Sequence, residues 1–239
     1  MKKALLESFI KKYSLNGTIE SVKWSAAENK LNVDTITEDK TVLVKSTLKP
    51  FDEFTDEEVG VNETSRLGKL LNTQAEDVKL TLNKTKDKVT SMTMTGDKVE
   101  AQFAAADLDV IPSAPNLKSL PEADCEIILD DTFIERFIKA KAALSEVDNF
   151  TLLSKNDKMY LVLGHSKLNT NRVTMEVAAT GKVENPISFS AKFFKEILTA
   201  NSDCTASNLK VSEKGLAIAE FENDNFKTSY YMVMIKMED

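Results

Sequence analysis

The chain repeats one pattern at a spacing of 127 to 128 residues. Leu5-Leu6-Glu7-Ser8-Phe9-Ile10-Lys11 matches Phe133-Ile134-Glu135-Arg136-Phe137-Ile138-Lys139 at an offset of 128, with four of seven residues identical and the leading apolar pair still apolar. In both copies large apolar side chains fall at i, i+1, i+4 and i+5, which is one face of a helix. Asp130, Asp131 and Thr132 supply N-cap candidates before the second copy. A further helix is predicted in each half, over 62–74 and 188–200, where Leu67, Leu70 and Leu71 align with Phe194, Ile197 and Leu198 at an offset of 127. With 239 residues, the chain has room for one or two domains, and the duplication selects two.

Strand-like runs separate the helices. They are predicted over 18–24, 30–36 and 41–48, then 78–83, 88–94 and 98–105 in the first half. The second half offers 150–154, 158–164 and 172–179, then 208–211, 215–221 and 226–236, with one more strand over 125–129. Lys86-Asp87, Gly96-Asp97, Glu213-Lys214 and Asn223-Asp224 read as hairpin connections. Each half is expected to run helix, three strands, helix, three strands. Such meanders imply an α+β fold of two similar domains, each with two helices packed on antiparallel β-sheets. The expected division is 1–107 for the first domain, 108–123 for a connector and 124–239 for the second domain. The connector holds Pro112, Pro115 and Pro121, three of the five prolines, which discourages helix and central strand. Val110, Ile111, Leu117 and Leu120 are more apolar than a solvated linker needs, so some should pack on a domain or receive a partner.

Several function classes are disfavoured. Hydrophobic residues make up 42% and charged residues 29%, as in an ordinary soluble globular protein, and no run of ~18 apolar residues suggests a membrane span. After Met1-Lys2-Lys3 the apolar Ala4-Leu5-Leu6 is cut by Glu7, so the segment reads as an amphipathic helix rather than an export signal, and the expected location is cytoplasmic. Cys125 and Cys204 lie 79 positions apart and no Cys/His cluster has zinc spacing, so two reduced thiols are expected. The one histidine, His165 in Leu163-Gly164-His165-Ser166, reads as a turn or surface residue. Asp130-Asp131 and Glu57-Glu58 read as capping or solvated acids. There is no P-loop, no Gly-x-Gly-x-x-Gly and no Gly-x-Ser-x-Gly. The expectation is a protein without catalytic residues, metal or cofactor, and not an enzyme.

The charge is unevenly placed. The helical segments 2–13, 62–74, 133–144 and 188–200 hold eleven basic residues, namely Lys2, Lys3, Lys11, Lys12, Arg66, Lys69, Arg136, Lys139, Lys141, Lys192 and Lys195, against the acids Glu7, Glu63, Glu135 and Glu196. Their net charge of +7 leaves −14 for the remainder of a chain whose total is −7. A helix with its apolar stripe on a sheet exposes the opposite face, which here is the basic one. Lysine and arginine are also common on any solvated helix face. The functional alternative is a helical surface that attracts DNA phosphates without reading bases.

The pattern resembles a DNA polymerase sliding clamp, in particular the two-domain clamp of tailed phages, similar in fold to proliferating cell nuclear antigen. The resemblance spans nearly the whole chain. It is most specific from Pro186-Ile187-Ser188-Phe189-Ser190 through Ala191-Lys192-Phe193-Phe194-Lys195-Glu196-Ile197-Leu198. It continues in Leu216-Ala217-Ile218-Ala219-Glu220-Phe221 with Thr228-Ser229-Tyr230-Tyr231-Met232-Val233-Met234-Ile235, which resembles the final hairpin of clamps. It implies a homotrimeric ring of six similar domains around double-stranded DNA, with helices lining the hole. Lys11, Lys12, Arg66, Lys69, Arg136, Lys139, Lys141, Lys192 and Lys195 would be the DNA-binding residues, and those on 62–74 and 188–200 add a net charge of only +1 each. It further implies that 98–105 of one subunit pairs with 172–179 of the next. The DNA polymerase would dock beside the connector at Val110, Ile111, Leu117 and Leu120, and an ATP-driven clamp loader would open the ring. Two other readings stand beside this one. One is a monomeric polymerase accessory protein that binds DNA by a charged face. The other is a virion or scaffold protein with duplicated domains and no DNA role.

Overall fold

The computed structural model describes residues 1–166 and 171–236. The chain divides into two compact units, Met1–Pro115 with Glu222–Thr228 and Asn116–Phe221 with Ser229–Asp239.

The first unit opens with helix α1 (Lys3–Ser14), whose Leu6, Phe9, Ile10 and Tyr13 form a buried stripe. Strands β1 (Val22–Ala27), β2 (Lys30–Ile36), β3 (Val42–Leu48) and β4 (Glu57–Val61) follow, then helix α2 (Thr64–Asn72). They form an antiparallel sheet in the order β3-β2-β1-β4. Alternate residues Val22, Trp24 and Ala26 of β1 and Leu31, Val33 and Thr35 of β2 are buried, the signature of a sheet covered on one face. Helix α1 packs on α2 and on β3. In the core the Trp24 indole N–H donates to the Tyr13 hydroxyl at 3.2 Å, so the one polar atom of each ring is satisfied. A second antiparallel sheet is β5 (Lys79–Thr85), β6 (Lys88–Thr95) and β7 (Glu100–Ala104), in that order.

The second unit repeats this plan. It comprises β8 (Cys125–Ile128), helix α3 (Asp131–Ala143), β9 (Asn149–Lys155), β10 (Lys158–Leu163), β11 (Val173–Val177), β12 (Ala179–Gly181), β13 (Ile187–Ser190), helix α4 (Ala191–Ala200), β14 (Ala206–Ser212), β15 (Leu216–Glu222) and the main part of β16 (Phe226–Val233). Its sheets run β11-β10-β9-β13 and β12-β8-β14-β15. Asp130 caps α3 by accepting from the Phe133 N–H at 2.7 Å. Helices α3 and α4 pack side by side over an aromatic core. Phe137 meets Phe194 edge-on at 4.9 Å and Phe150 at 5.6 Å, and Phe150 lies against Phe189 at 5.8 Å.

The duplication survives in the backbone. Glu28-Asn29 (φ 51° and 60°) and Asn156-Asp157 (φ 51° and 59°) turn the equivalent hairpins 128 residues apart. Two consecutive positive φ values match the twist of the flanking strands. Phe9 and Phe137, also 128 apart, are both fully buried.

The elements differ from expectation in five places. β4 was not predicted, because Glu57-Glu58 and Gly60 break an apolar run. Gly60 is needed there, since a Cβ would collide with the Ala106 carbonyl, whose own N–H donates to Gly60 O at 2.8 Å. The run 172–179 splits at Ala178, with β11 pairing with β10 and β12 with β8. The helix expected over 188–200 begins at Ala191, capped by Ser190, and 188–190 belong to β13. Finally, 18–21 is loop before β1, and the last strand stops at Val233.

Replacing Phe137 by Ala removes the centre of the second core and should cost ~3–5 kcal/mol, and Phe9→Ala should cost a comparable amount in the first. Urea unfolding followed by circular dichroism measures both.

Candidate nucleic-acid and partner interfaces

Helical periodicity decides which cations face outward. On α1, Lys11 is exposed while Lys12, next to Tyr13 on the inner side, has no exposed surface. The Lys12 ammonium sits 4.7 Å from the centre of the Phe226 ring, a cation–π contact. On α3, Arg136 and Lys139 are exposed but Lys141 is buried, and its Nζ donates to the Ser145 carbonyl at 2.7 Å beyond the helix end. A cation there satisfies helix-terminal carbonyls. The expectation that Lys12 and Lys141 present charge to solvent is therefore corrected: both are structural. Arg66 and Lys69 on α2 and Lys192 on α4 are exposed, and Lys195 is half-buried.

Local acids mute part of what remains. Arg66 pairs with Glu63 at 2.7 Å and Lys139 with Glu135 at 2.5 Å, while Lys195 stands 3.9 Å from Glu196. The hydrogen bond from Lys139 holds the Glu135 carboxyl below its ordinary pKa. Asp131 lies inside α3, so with Glu135 it balances Arg136 and Lys139 on that helix. Among the described residues Lys11, Lys69, Arg136 and Lys192 make no ion pair. The basic charge on the helices is thinner than residue counting implied, and its unpaired part is Lys11 and Lys69 in the first unit and Arg136 and Lys192 in the second.

The connector contains a short 3-10 turn, Leu108–Val110, held by Asp107, whose side chain accepts from the Asp109 N–H at 3.2 Å. Ile111 is buried in its own unit and so cannot receive a partner, which corrects that expectation. Val110 is 69% exposed. Leu117 is half-buried, and Leu120, 46% exposed, borders a pocket of about 210 Å³. Pro121, Ala123, Leu216, Ile218 and Tyr231 supply the other apolar walls, and the Lys210–Glu220 ion pair (2.6 Å) lies in the lining. The sequence places Leu216, Ile218 and Tyr231 in the final hairpin without assigning them to a partner site. A signal was present: on β15 the buried alternation is Ala217, Ala219 and Phe221, so Leu216 and Ile218 are apolar on the side where solvent favours polar residues. The related sheet of the first unit has no such face. There Asn83 Nδ2 donates to Ser91 Oγ (3.0 Å) and Thr93 Oγ1 (2.8 Å), and Gln102 Nε2 donates to Ser91 Oγ (2.7 Å), giving a polar mesh.

The sheet margins differ in how they are covered. Ala106 bonds to β4, residues 1–3 bond to residues 76–78 just ahead of β5, and the Ile235 N–H donates to Ser188 of β13 at 2.8 Å. β7 and β11 end their sheets, and among the described residues no further strand adds to either.

Cys125 is buried, which pushes its thiol up to about 11, and Cys204 is half-buried; neither is in a disulfide. His165 is half-buried just after β10. No helix among the described residues is long and apolar enough to cross a membrane.

No family model matches the sequence, and no curated protein matches it. Solved structures do match in fold. Proliferating cellular nuclear antigen from Entamoeba histolytica superposes with a TM-score of 0.76 at 18% identity, covering 98% of this chain and 96% of that one. The A. fulgidus PCNA that has the C-terminal region of FEN-1 bound gives 0.77 at 15% identity, covering 100% and 98%. The chain has the fold of a PCNA-like sliding clamp over its whole length.

Lys12→Ala and Lys141→Ala should each destabilise the protein by ~1–3 kcal/mol through lost packing and unsatisfied neighbours. The combined replacement of Lys11, Lys69 and Lys192 by Ala should shift stability by less than about 0.5 kcal/mol per site, as exposed residues do. Urea midpoints separate the two groups.

Proposed function

We propose that this chain is a DNA polymerase sliding clamp, a non-enzymatic ring that encircles duplex DNA and tethers a replicative polymerase. The observation that carries the reading is the fold match, which spans both units at TM-scores of 0.76 and 0.77. The open margins of β7 and β11 support it. A head-to-tail contact between those edges closes into a ring when the rotation between copies closes, and two clamp units per chain make a six-unit ring a homotrimer. Closure also removes two edges that would otherwise invite aggregation.

Lys11, Arg66, Lys69, Arg136, Lys139, Lys192 and Lys195 are assigned to the inner surface. A thin, sequence-independent cationic face suits sliding, because each phosphate contact is replaced by an equivalent one and none holds the ring in place. The acidic remainder of the chain discourages DNA on the outside. Topology, not grip, keeps the ring on its template. The pocket at Leu120, Leu216, Ile218 and Tyr231 is assigned to a short apolar segment of the polymerase or another partner, as the A. fulgidus protein holds the C-terminal region of FEN-1. Opening the ring falls to an ATP-driven clamp loader. The two-domain length and the pattern of the last fifty residues favour the bacteriophage type, acting in the cytoplasm of a host cell.

The test is retention. Protein assembled on a nicked circular DNA should remain bound at a salt concentration that strips ordinary DNA-binding proteins, and should be lost when one cut linearises the circle. Equal loss from circle and linear DNA would remove the ring mechanism. Replacing Lys11, Arg66, Lys69 and Lys192 by Ala should reduce loading and flatten the salt dependence of DNA association by up to ~0.9 in log–log slope per lost phosphate contact. Ile218→Asp should abolish polymerase stimulation while leaving retention on the circle intact.

A further inference from the structure

The duplication gives an internal comparison of the cationic helices. Lys3, Glu7 and Lys11 of α1 stand 128 residues before Asp131, Glu135 and Lys139 of α3. The glutamate and the second lysine are kept, and the first lysine is replaced by an aspartate. Successive members of each triplet are four residues apart, so the middle glutamate can pair with the residue one turn before it or one turn after it.

The two copies resolve that choice differently. On α1 the Lys3 ammonium lies 3.8 Å from Glu7 and donates to the Gln74 carbonyl at 3.1 Å. Glu7 is thus engaged from the preceding turn, and Lys11 is exposed with no ion pair among the described residues. On α3 the place of Lys3 is taken by Asp131, which suits the positive end of the helix and cannot attract Glu135. Glu135 pairs instead with Lys139 at 2.5 Å, in the order, Glu before Lys, that favours a helix. Helix α2 has a similar arrangement. Glu63 pairs with Arg66 at 2.7 Å, and although it occupies the N-cap position its side chain makes no capping bond that would hold it elsewhere.

All four side chains of these two pairs are more than half exposed. Water screens them, so each pair is weak and a phosphate can break it. A phosphate oxygen that reaches Lys139 or Arg66 nevertheless meets a carboxylate within one turn of the helix. Counterions leave DNA in proportion to the positive charge a protein brings to it, and a neutral pair brings none. Lys11, Lys69, Arg136 and Lys192 make no such pair among the described residues.

We propose that Glu63 and Glu135 govern DNA contact: each holds the cation that follows it on its helix in reserve, so that the helices touch the phosphate backbone chiefly through Lys11, Lys69, Arg136 and Lys192. This deepens the ring reading and rests on its assignment of the helices to DNA. The acids keep each contact weak, as a ring held by topology requires if it is to move. The exchange of Lys3 for Asp131 between the two copies is what turns Glu135 onto its lysine.

The salt dependence of association tests it, measured by fluorescence anisotropy of a short duplex DNA with the full chain between about 50 and 200 mM salt. Glu135→Gln should raise affinity and steepen the log–log slope by up to ~0.9, the value of one added phosphate contact. Asp131→Asn makes the same change of charge on the same helix without releasing a cation, and should steepen the slope by less than half as much. Lys139→Ala should change the slope little in the native chain and should cancel the gain in the Glu135→Gln chain. Glu63→Gln with Arg66→Ala should repeat the pattern on α2. Equal effects of Glu135→Gln and Asp131→Asn, or an equal loss on Lys139→Ala in both backgrounds, overturn the governing role. If they occur while the protein is still retained on nicked circular DNA and lost from the linear form, the ring reading stands without it. Association that no replacement on these helices alters, with equal loss from circle and linear DNA, removes both.

Discussion

A β-strand left at the margin of a sheet carries a row of unpaired backbone groups, and among the described residues β7 and β11 are two such margins. Backbone hydrogen bonding is the most nearly obligatory interaction in a protein, so an open edge is either blunted, covered or matched. Other margins receive bonds from the chain's own segments, Ala106 at β4, residues 1–3 just ahead of β5 and Ile235 at β13, while β12 also ends a sheet. β7 and β11 have similar length and similar two-sided chemistry, and they come from different halves of a duplicated sequence. A match between copies disposes of both, and a chain of such matches is what a ring requires. The DNA reading depends on that closure, because the cationic helix faces are too sparse to hold DNA by charge alone.

The sparseness has a physical origin. A helix buried on a sheet has few outward positions, and two of the lysines on α1 and α3 fall on inward ones. Lys12 spends its charge over an aromatic ring, and Lys141 on the carbonyl of Ser145. Others are tied to acids one turn away, as in Glu135–Lys139. What remains is a set of separated charges, adequate for following a phosphate backbone and weak as an anchor. The outward sheet faces show the opposite specialisation. The two units share a plan, yet one sheet face is a hydrogen-bonded mesh of Asn83, Ser91, Thr93 and Gln102, and the other an apolar pocket at Leu216, Ile218 and Tyr231. Duplication preserved the cores and left the solvent faces free to diverge.

Much of this was legible in the sequence, and the limits are instructive. The α+β class, the four helices and most strands follow from apolar periodicity, and the Phe9–Phe137 correspondence holds in the core because burial constrains it. β4 escaped notice because its pairing with Ala106 requires a glycine, and a glycine between acids looks like loop. Lys12 and Lys141 were misplaced because composition counts charges along a helix without regard to its angle. Angle alone would have flagged Lys12, three positions after the inward Phe9. The fate of Lys141 depended on a tertiary detail, the chain turning back past Ser145. Ile111 was assigned to a partner by position in the resemblance alone, although its apolar side chain among the connector residues also allowed packing on a domain, and it is buried. The pocket walls on β15 were recoverable from alternation, since Leu216 and Ile218 sit opposite the buried Ala217, Ala219 and Phe221.

The most direct measurement is the mass of the protein in solution by sedimentation equilibrium at low micromolar concentration. The account predicts a single species of three times the 26.6 kDa chain mass. A species of one chain mass that persists as the concentration is raised would mean that β7 and β11 stay open, and the ring would have nothing to close it.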